Sequence, residues 1–296
     1  MSYIDDILAT PHALIAGTTG SGKSVCLAGV INKILDKAPE TTGMVLFDLK
    51  RIELKRFKDA PHCLGFITEP FDVTQALDKC NVMIDDAYKA EKADYTLYVI
   101  VDELADTLNV KGALERLTRI GRIGRGANVH LICATQDPSR RTLKAELMQN
   151  FTLTIALRCR SAIESRQIIG IKGAESLPQY GKGLMWDARG VQEINIEKVP
   201  DEKIATKVGY LQDQYRGRPL LGGHSDGGIL QKLFELMVWI IWPTNPSLLA
   251  LWLRLCLVLL ILAFTPIGDW YFNSKSAMVV IGILVALILA YHTSRK

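Results

Sequence analysis

Eight consecutive residues, Gly17, Thr18, Thr19, Gly20, Ser21, Gly22, Lys23 and Ser24, run as a complete GxxxxGK[ST] loop. Residue types at this spacing bind phosphate. Glycines let the backbone close around an anion, so that successive N–H groups point at it from the first turn of a helix that Val25 continues. Lys23 then neutralises β/γ oxygens and the Ser24 hydroxyl can ligate Mg²⁺. The ligand class implied is a nucleoside triphosphate. The alternative is a glycine-rich turn that matches the pattern by chance. Context argues against it: residues 12–16 read as a short buried strand, and 25–35 have helical apolar spacing.

A phosphate loop alone does not define a reaction, and the second set of chemical residues comes later in the chain. The apolar run 97–101 is followed by Asp102 and Glu103. That order puts Asp102 at the carboxyl end of a buried strand, where it can hold a Mg²⁺ shell, and Glu103 where it can polarise a water against the γ-phosphate. Taken alone, Glu103 has a competing reading as an acid at a helix N-terminus, favoured by the helix dipole. A further strand ends Ala134, Thr135, Gln136. Its terminal amide is a candidate sensor of the γ-phosphate, against the plainer reading of a capped strand end.

The elements needed to position these groups are legible as alternating apolar runs. Strands are expected at 12–16, 44–48, 95–102, 129–135 and 153–158, most of them separated by helical stretches. Continuous apolar strands alternating with helices predict an α/β fold with a mainly parallel sheet covered on both faces. A terminal hairpin is expected from 183–186 and 191–196, joined across 187–190, closing one edge of the sheet.

Composition narrows the class further. The 296 residues carry a formal charge of +4, too mild for a globally basic nucleic-acid glove, although a local basic stripe remains open. Residues beyond 230 hold Lys232, Arg254, Lys275, Arg295 and Lys296 against Glu235 and Asp269. Six cysteines are scattered without CxxC pairing or zinc spacing, which reads as buried thiols in a reducing compartment. The first ten residues contain acids and no apolar core of their own, so no secretory signal is expected.

A Gly, Pro, His and Ser-rich stretch at 219–229 reads as a linker after an ATPase-sized domain at 1–218. Beyond it, residues 230–296 form an apolar region with two expected transmembrane helices, at about 247–264 and 277–292, each close to the roughly 18 to 20 residues that cross a bilayer. Two buried core helices are the alternative, but no further domain is available to bury them. The intervening turn has little net charge and the terminus is basic, so the positive-inside rule puts both ends in the cytoplasm. Localisation at a membrane, as a multi-pass anchor, follows; a virion's internal membrane fits equally.

In ordered motifs across about residues 11–187 the sequence resembles the FtsK/SpoIIIE branch of the FtsK–HerA superfamily. The matching residues are Pro11 and His12, the loop Ile15 to Val25, Asp48 to Lys50 with Glu53 and Leu54, Val101 to Asp106, Arg125 ahead of His130 to Gln136, Pro138 and Ser139, Ser165 and Arg166, and Gly173 to Glu175. The resemblance implies a RecA-like ATPase core that uses ATP and Mg²⁺, assembles into a homo-oligomeric ring, hexameric by resemblance, and pulls double-stranded DNA. Such a ring needs an arginine supplied across the subunit interface. Arg125 is the favoured match and Arg166 the alternative, while Arg119, Arg122 and Arg125 also fit a solvated helical face. DNA contacts are expected from Arg140, Arg141 and Lys144, with Arg158 and Arg160 as a second group; either could be solvated surface.

Two residues depart from the family pattern: Asp137 and Thr154 stand where arginine is frequent. The expectation from the whole sequence is a membrane-anchored ATP-driven motor for double-stranded DNA, suited to genome packaging, conjugative transfer or segregation. The alternative is an ATP-dependent membrane assembly or protein-export ATPase.

Overall fold

The structure, a computed structural model, describes residues 2–139 and 144–216. Arg140, Arg141, the linker and the two expected membrane spans lie outside the described residues. Among the described residues no helix is long and apolar enough to cross a membrane.

One eight-stranded sheet organises everything described. In chain order the elements are α1 (Tyr3–Ala9), β1 (His12–Ala16), α2 (Lys23–Ile34), β2 (Thr42–Phe47), β3 (Cys63–Ile67), α3 (Pro70–Lys89), β4 (Thr96–Val101), α4 (Leu104–Leu108), α5 (Ala113–Ile123), β5 (Val129–Thr135), α6 (Ala145–Met148), β6 (Leu153–Ala156), α7 (Ala162–Ile169), β7 (Lys182–Asp187), β8 (Gly190–Asn195) and α8 (Asp201–Gln214). The strands lie in the order β3-β2-β4-β5-β1-β6-β7-β8. The first six in that order pair in parallel, and β7 and β8 add an antiparallel edge. The expected edge hairpin is therefore present, turned through Gly190 at φ +98.

The continuous apolar strands divide by alternate residues between two cores, as the period of two in a strand requires. Ile15, Ile100 and Ile132 face a layer built from α1, α2 and α8, with Leu27, Ile31, Ile204 and Val208. Their neighbours Leu14, Val99 and Leu131 face α3 and α5, meeting Leu77, Ile84, Leu117 and Ile120. Both faces of the sheet are thereby removed from water, which explains why these strands carry no polar alternation.

Two elements depart from the expectation. β3 was not anticipated, because Cys63-Leu-Gly-Phe-Ile67 is interrupted by Gly65; it is an edge strand, only partly buried beyond Cys63. The opening segment, expected to lack a core of its own, is a helix. Ser2 accepts from the Ile4 N–H while the Asp5 carboxylate accepts from the Ser2 N–H, a reciprocal cap. Its Tyr3 and Ile7 are buried. The apolar surface it needs comes from α2 rather than from the segment itself. Five cysteines, Cys26, Cys63, Cys80, Cys133 and Cys159, are free and buried, in keeping with the sequence reading.

Candidate nucleotide site

Because β1, β2, β4, β5 and β6 run parallel, their carboxyl ends share one edge of the sheet, and the loops leaving them converge there. β5 lies between β1, which carries the phosphate loop, and β4, which carries the two acids. Gln136, at the end of β5, therefore stands between the two halves of the site.

The loop is fastened on both sides. The Gly17 N–H donates to the Thr135 carbonyl at 3.2 Å, and the Thr18 N–H and hydroxyl both donate to the Arg158 carbonyl, at 3.0 and 3.1 Å. Gly17 has no room for a side chain: a Cβ there would lie 2.7 Å from Ser21 Oγ and 2.8 Å from Leu157 Cβ. Ser21 thus packs its hydroxyl inside the loop. Gly20 and Gly22 adopt φ +74 and +100, a left-handed geometry that L side chains resist. Gly22 caps α2, whose first residue is Lys23, so the free N–H groups of that helix open toward the loop's cavity.

Lys23 is buried, and its ammonium donates to the carbonyls of Gly17 and Thr18, both at 2.8 Å. Burial pushes its pKa down to about 8; Glu103, Asp102 and Glu53 act against that shift, while Lys50 adds to it. The side chain remains cationic at neutral pH. Ser24 follows in the first turn of α2, half-buried.

The two acids occupy different environments. Asp102 is buried at the end of β4, and its pKa rises to about 7, first from desolvation and then from Asp48, Glu53 and Glu103, with Lys50 opposing. Glu103 caps α4 and is held by several donors. Its Oε1 accepts from Thr135 Oγ1 at 2.9 Å, the Gln136 N–H at 3.2 Å and the Ala105 N–H at 3.4 Å, and Oε2 also lies 3.2 Å from the Gln136 N–H. Lys50 Nζ stands 3.7 Å from Glu103 Oε2 and 3.3 Å from Asp106 Oδ2. The helix-cap reading and the chemical reading of Glu103 are thus both realised by one side chain.

The residues fit Mg²⁺. Asp48 Oδ1 is buried without a hydrogen-bond partner, and it adds to the crowd of carboxyls around Asp102. A divalent cation would relieve this excess of negative charge. Mg²⁺ beside phosphates is held by one or two protein groups together with phosphate and water. Ser24 and Asp102 would be those two groups.

Gln136 completes the arrangement: its Oε1 accepts from Thr19 Oγ1 at 2.7 Å. The other expected residues lie elsewhere. Arg125 is exposed in a 3-10 turn, Gly124–Ala127, just before the amino end of β5, at the opposite end of the sheet from its own phosphate loop. Arg119, on the preceding helix, is not a free surface cation, because it bonds Asn81 Oδ1 at 2.9 Å and Asp85 Oδ1 at 2.5 Å. Lys144 is exposed at the N-cap of α6. Arg158, considered above for DNA, supplies the carbonyl that anchors Thr18. Arg166 is exposed on α7, beside Ser165, whose buried hydroxyl donates to Ile171 O at 2.7 Å and accepts from the Ala174 N–H at 3.1 Å. Sequence reasoning assigned no role to Thr135 or Lys50; both lie within recognised motifs, but only their convergence on Glu103 distinguishes them.

A strand, a phosphate loop and a helix, with acids on a second parallel strand and an amide on the strand between, define an α/β P-loop NTPase-like protein. Residues 2–94 match the model of the FtsK/SpoIIIE family, and the chain carries an FtsK/SpoIIIE-family domain. It is 32% identical over 238 residues to the DNA translocase FtsK of Caldanaerobacter subterraneus subsp. tengcongensis, covering 72% of this chain and 33% of that protein. It is 34% identical over 210 residues to the DNA translocase FtsK of Borreliella burgdorferi, covering 62% and 26%. The chain spans about a third of the length of the curated relatives it matches. Among solved structures, the cytoplasmic domain of the Type VII secretion ATPase EccC of Thermomonospora curvata is similar with a TM-score of 0.56 and 25% identity, over 68% of this chain and 28% of that one. The pCW3 conjugation coupling protein TcpA shares the fold with a TM-score of 0.59 and 20% identity, over 70% and 66%.

Proposed function

We propose that this chain is an ATP-driven motor that moves double-stranded DNA, working as a ring of RecA-like cores tethered to a membrane by its C-terminal region. The observation that carries the ATPase reading is the junction at Glu103, where a buried carboxylate, the end of β5 and the phosphate loop are linked through Gln136 and Thr19. The 32 to 36% identity to DNA translocases supports DNA as the cargo.

Lys23 leaves the Gly17 and Thr18 carbonyls to hold the β/γ oxygens of ATP, exchanging two neutral acceptors for anionic ones, and charge-assisted bonds are the stronger. Ser24 and Asp102 would hold Mg²⁺, which would supply Lewis-acid stabilisation of the phosphoryl group. Glu103 orients the attacking water and takes its proton, a contribution of about 10² to 10⁴ in rate for a general base. Thr135 and Ala105 bond its Oε1 and the Gln136 N–H is shared between both oxygens, which fixes the carboxylate and leaves acceptor capacity on Oε2 for the water. In the sequence Gln136 is followed closely by Arg140, Arg141 and Lys144, the candidate phosphate contacts on DNA. Arg125, remote from its own nucleotide, is suited to reach a neighbouring subunit's site.

Membrane tethering rests on the sequence of 230–296, and the ring on resemblance. The likeness to EccC favours one other reading, export of a polypeptide by the same core. ATP hydrolysis by the full chain, measured with and without long duplex DNA, separates them. A motor on DNA is stimulated, and the stimulation falls steeply with salt because cationic side chains displace counterions from phosphates. ATPase activity indifferent to DNA and raised by a polypeptide would overturn the motor reading.

A further inference from the structure

We propose that Lys50 is a positioning residue for Glu103, gripping its Oε2 from the turn after β2 so that the carboxylate keeps one orientation toward the attacking water. This rests on the reading of Glu103 as the water-activating residue. Lys50 bridges two acids of the same short helix: Glu103, its N-cap, and Asp106, three residues on. Thr135 and Gln136 hold the carboxylate from the β5 side, and Lys50 closes the opposite side. Remove it and Glu103 is restrained from one direction only.

The turn that presents Lys50 is itself built to be rigid. The Asp48 N–H donates to Ile67 O at 2.9 Å, its Oδ2 accepts from the Leu54 N–H at 3.0 Å, and its carbonyl accepts from the Arg51 N–H at 3.0 Å. Arg51 adopts φ +61 and its guanidinium pairs with Glu69. A non-glycine residue in this conformation is uncommon and persists where surrounding contacts over-determine it. The end of β2 is joined to β4 where the Asp102 N–H meets Phe47 O at 3.0 Å. Lys50 is thus set against Glu103 by backbone bonds, with its ammonium half-exposed.

At 3.7 Å the contact with Glu103 is electrostatic rather than a short hydrogen bond. Lys50 is half-exposed and Glu103, though buried, keeps its hydrogen bonds from Thr135, Gln136 and Ala105 when Lys50 is removed, so the loss should appear in turnover rather than in stability. Misplacing a catalytic group by about 1 Å can cost on the order of 100-fold in rate.

The test compares wild type, Lys50→Met, Lys50→Arg and Glu103→Gln in the full chain, by steady-state ATP hydrolysis and thermal unfolding. Lys50→Met is expected to lower kcat about ten-fold or more while KM for ATP and Tm stay near wild type, and Lys50→Arg to recover most of kcat. Asp106→Asn should also lower kcat, with an effect that fails to add to that of Lys50→Met. A kcat for Lys50→Met within about three-fold of wild type, or a larger loss that arginine does not recover, overturns the role of Lys50. If Glu103→Gln turns over as wild type does, or wild type does not turn over at all, the reading of Glu103 fails and this inference with it. An inactive Glu103→Gln beside a normal Lys50→Met overturns the inference alone.

Discussion

Thr19 and Gln136 share one hydrogen bond, Oγ1 to Oε1 at 2.7 Å, that ties the middle of the phosphate loop to the end of β5. The same Gln136 offers its N–H to Glu103. One residue therefore touches the loop that would hold the γ-phosphate and the carboxylate that would activate water. Gln136→Ala removes the side-chain link while leaving the backbone link. The expected result is a fall in kcat of about ten-fold or more with little change in nucleotide affinity, since the amide is placed to act when the phosphate moves. Single-turnover hydrolysis beside equilibrium binding of a fluorescent nucleotide measures both.

Glu103→Gln should separate chemistry from architecture. Glutamine retains an acceptor for Thr135 and for the α4 cap, so Tm is expected to stay close to wild type. Hydrolysis is expected to fall by about 10² to 10⁴, because an amide cannot take the proton of water. Normal ATPase activity in this variant would remove the assignment.

Lys23→Ala deletes the donor that bridges the Gly17 and Thr18 carbonyls and the cation meant for ATP. Nucleotide affinity should drop at least ten-fold, roughly the worth of one charge-assisted bond. Folding should lose about 1 to 3 kcal/mol, because the buried Gly17 carbonyl loses its donor while the Thr18 carbonyl is only partly buried. Titration calorimetry and urea unfolding report the two quantities.

Gly17→Ala tests the packing of the loop. The added methyl meets Ser21 Oγ at 2.7 Å and Leu157 Cβ at 2.8 Å, and overpacking of this kind costs about 1 to 3 kcal/mol. A lowered Tm together with weaker ATP binding is expected; an unchanged Tm would show that the loop yields freely.

His12 should make stability fall in mild acid. It is buried, its Nδ1 accepts from the Leu131 N–H at 3.0 Å, and desolvation, with a smaller push from His130, lowers its pKa to about 4. The folded state then binds fewer protons than the unfolded state between about pH 6.5 and 4, so stability present above that window is lost as pH falls through it. The loss from this one group is about 2 kcal/mol at pH 5. Urea unfolding at pH 7 and pH 5 should show it in wild type and show less of it in His12→Gln; equal losses in both would assign it to other groups.

The sequence carried the sheet a long way. β5 has the bounds expected from its apolar run, and the β7–β8 hairpin was visible in its turn residues. Such features depend on contacts close in the chain or on the period of side chains along one element. β3 was hidden because an edge strand buries too little to need a continuous apolar run. The helix at 3–9 was hidden because half of its hydrophobic partnership lies on α2.

The candidate site divides the same way. Gly17 to Ser24 and the pair Asp102 and Glu103 were legible by themselves, since backbone freedom, charge and strand-end position are local properties. The tertiary structure alone decided that β5 lies between β1 and β4, and hence that Gln136 reaches both Thr19 and Glu103. It also turned Arg158 into part of the loop's wall and brought Lys50 to Glu103, across more than fifty residues of chain. Parallel pairing brings distant strand ends to one edge, and no spacing within a single segment records which ends will meet.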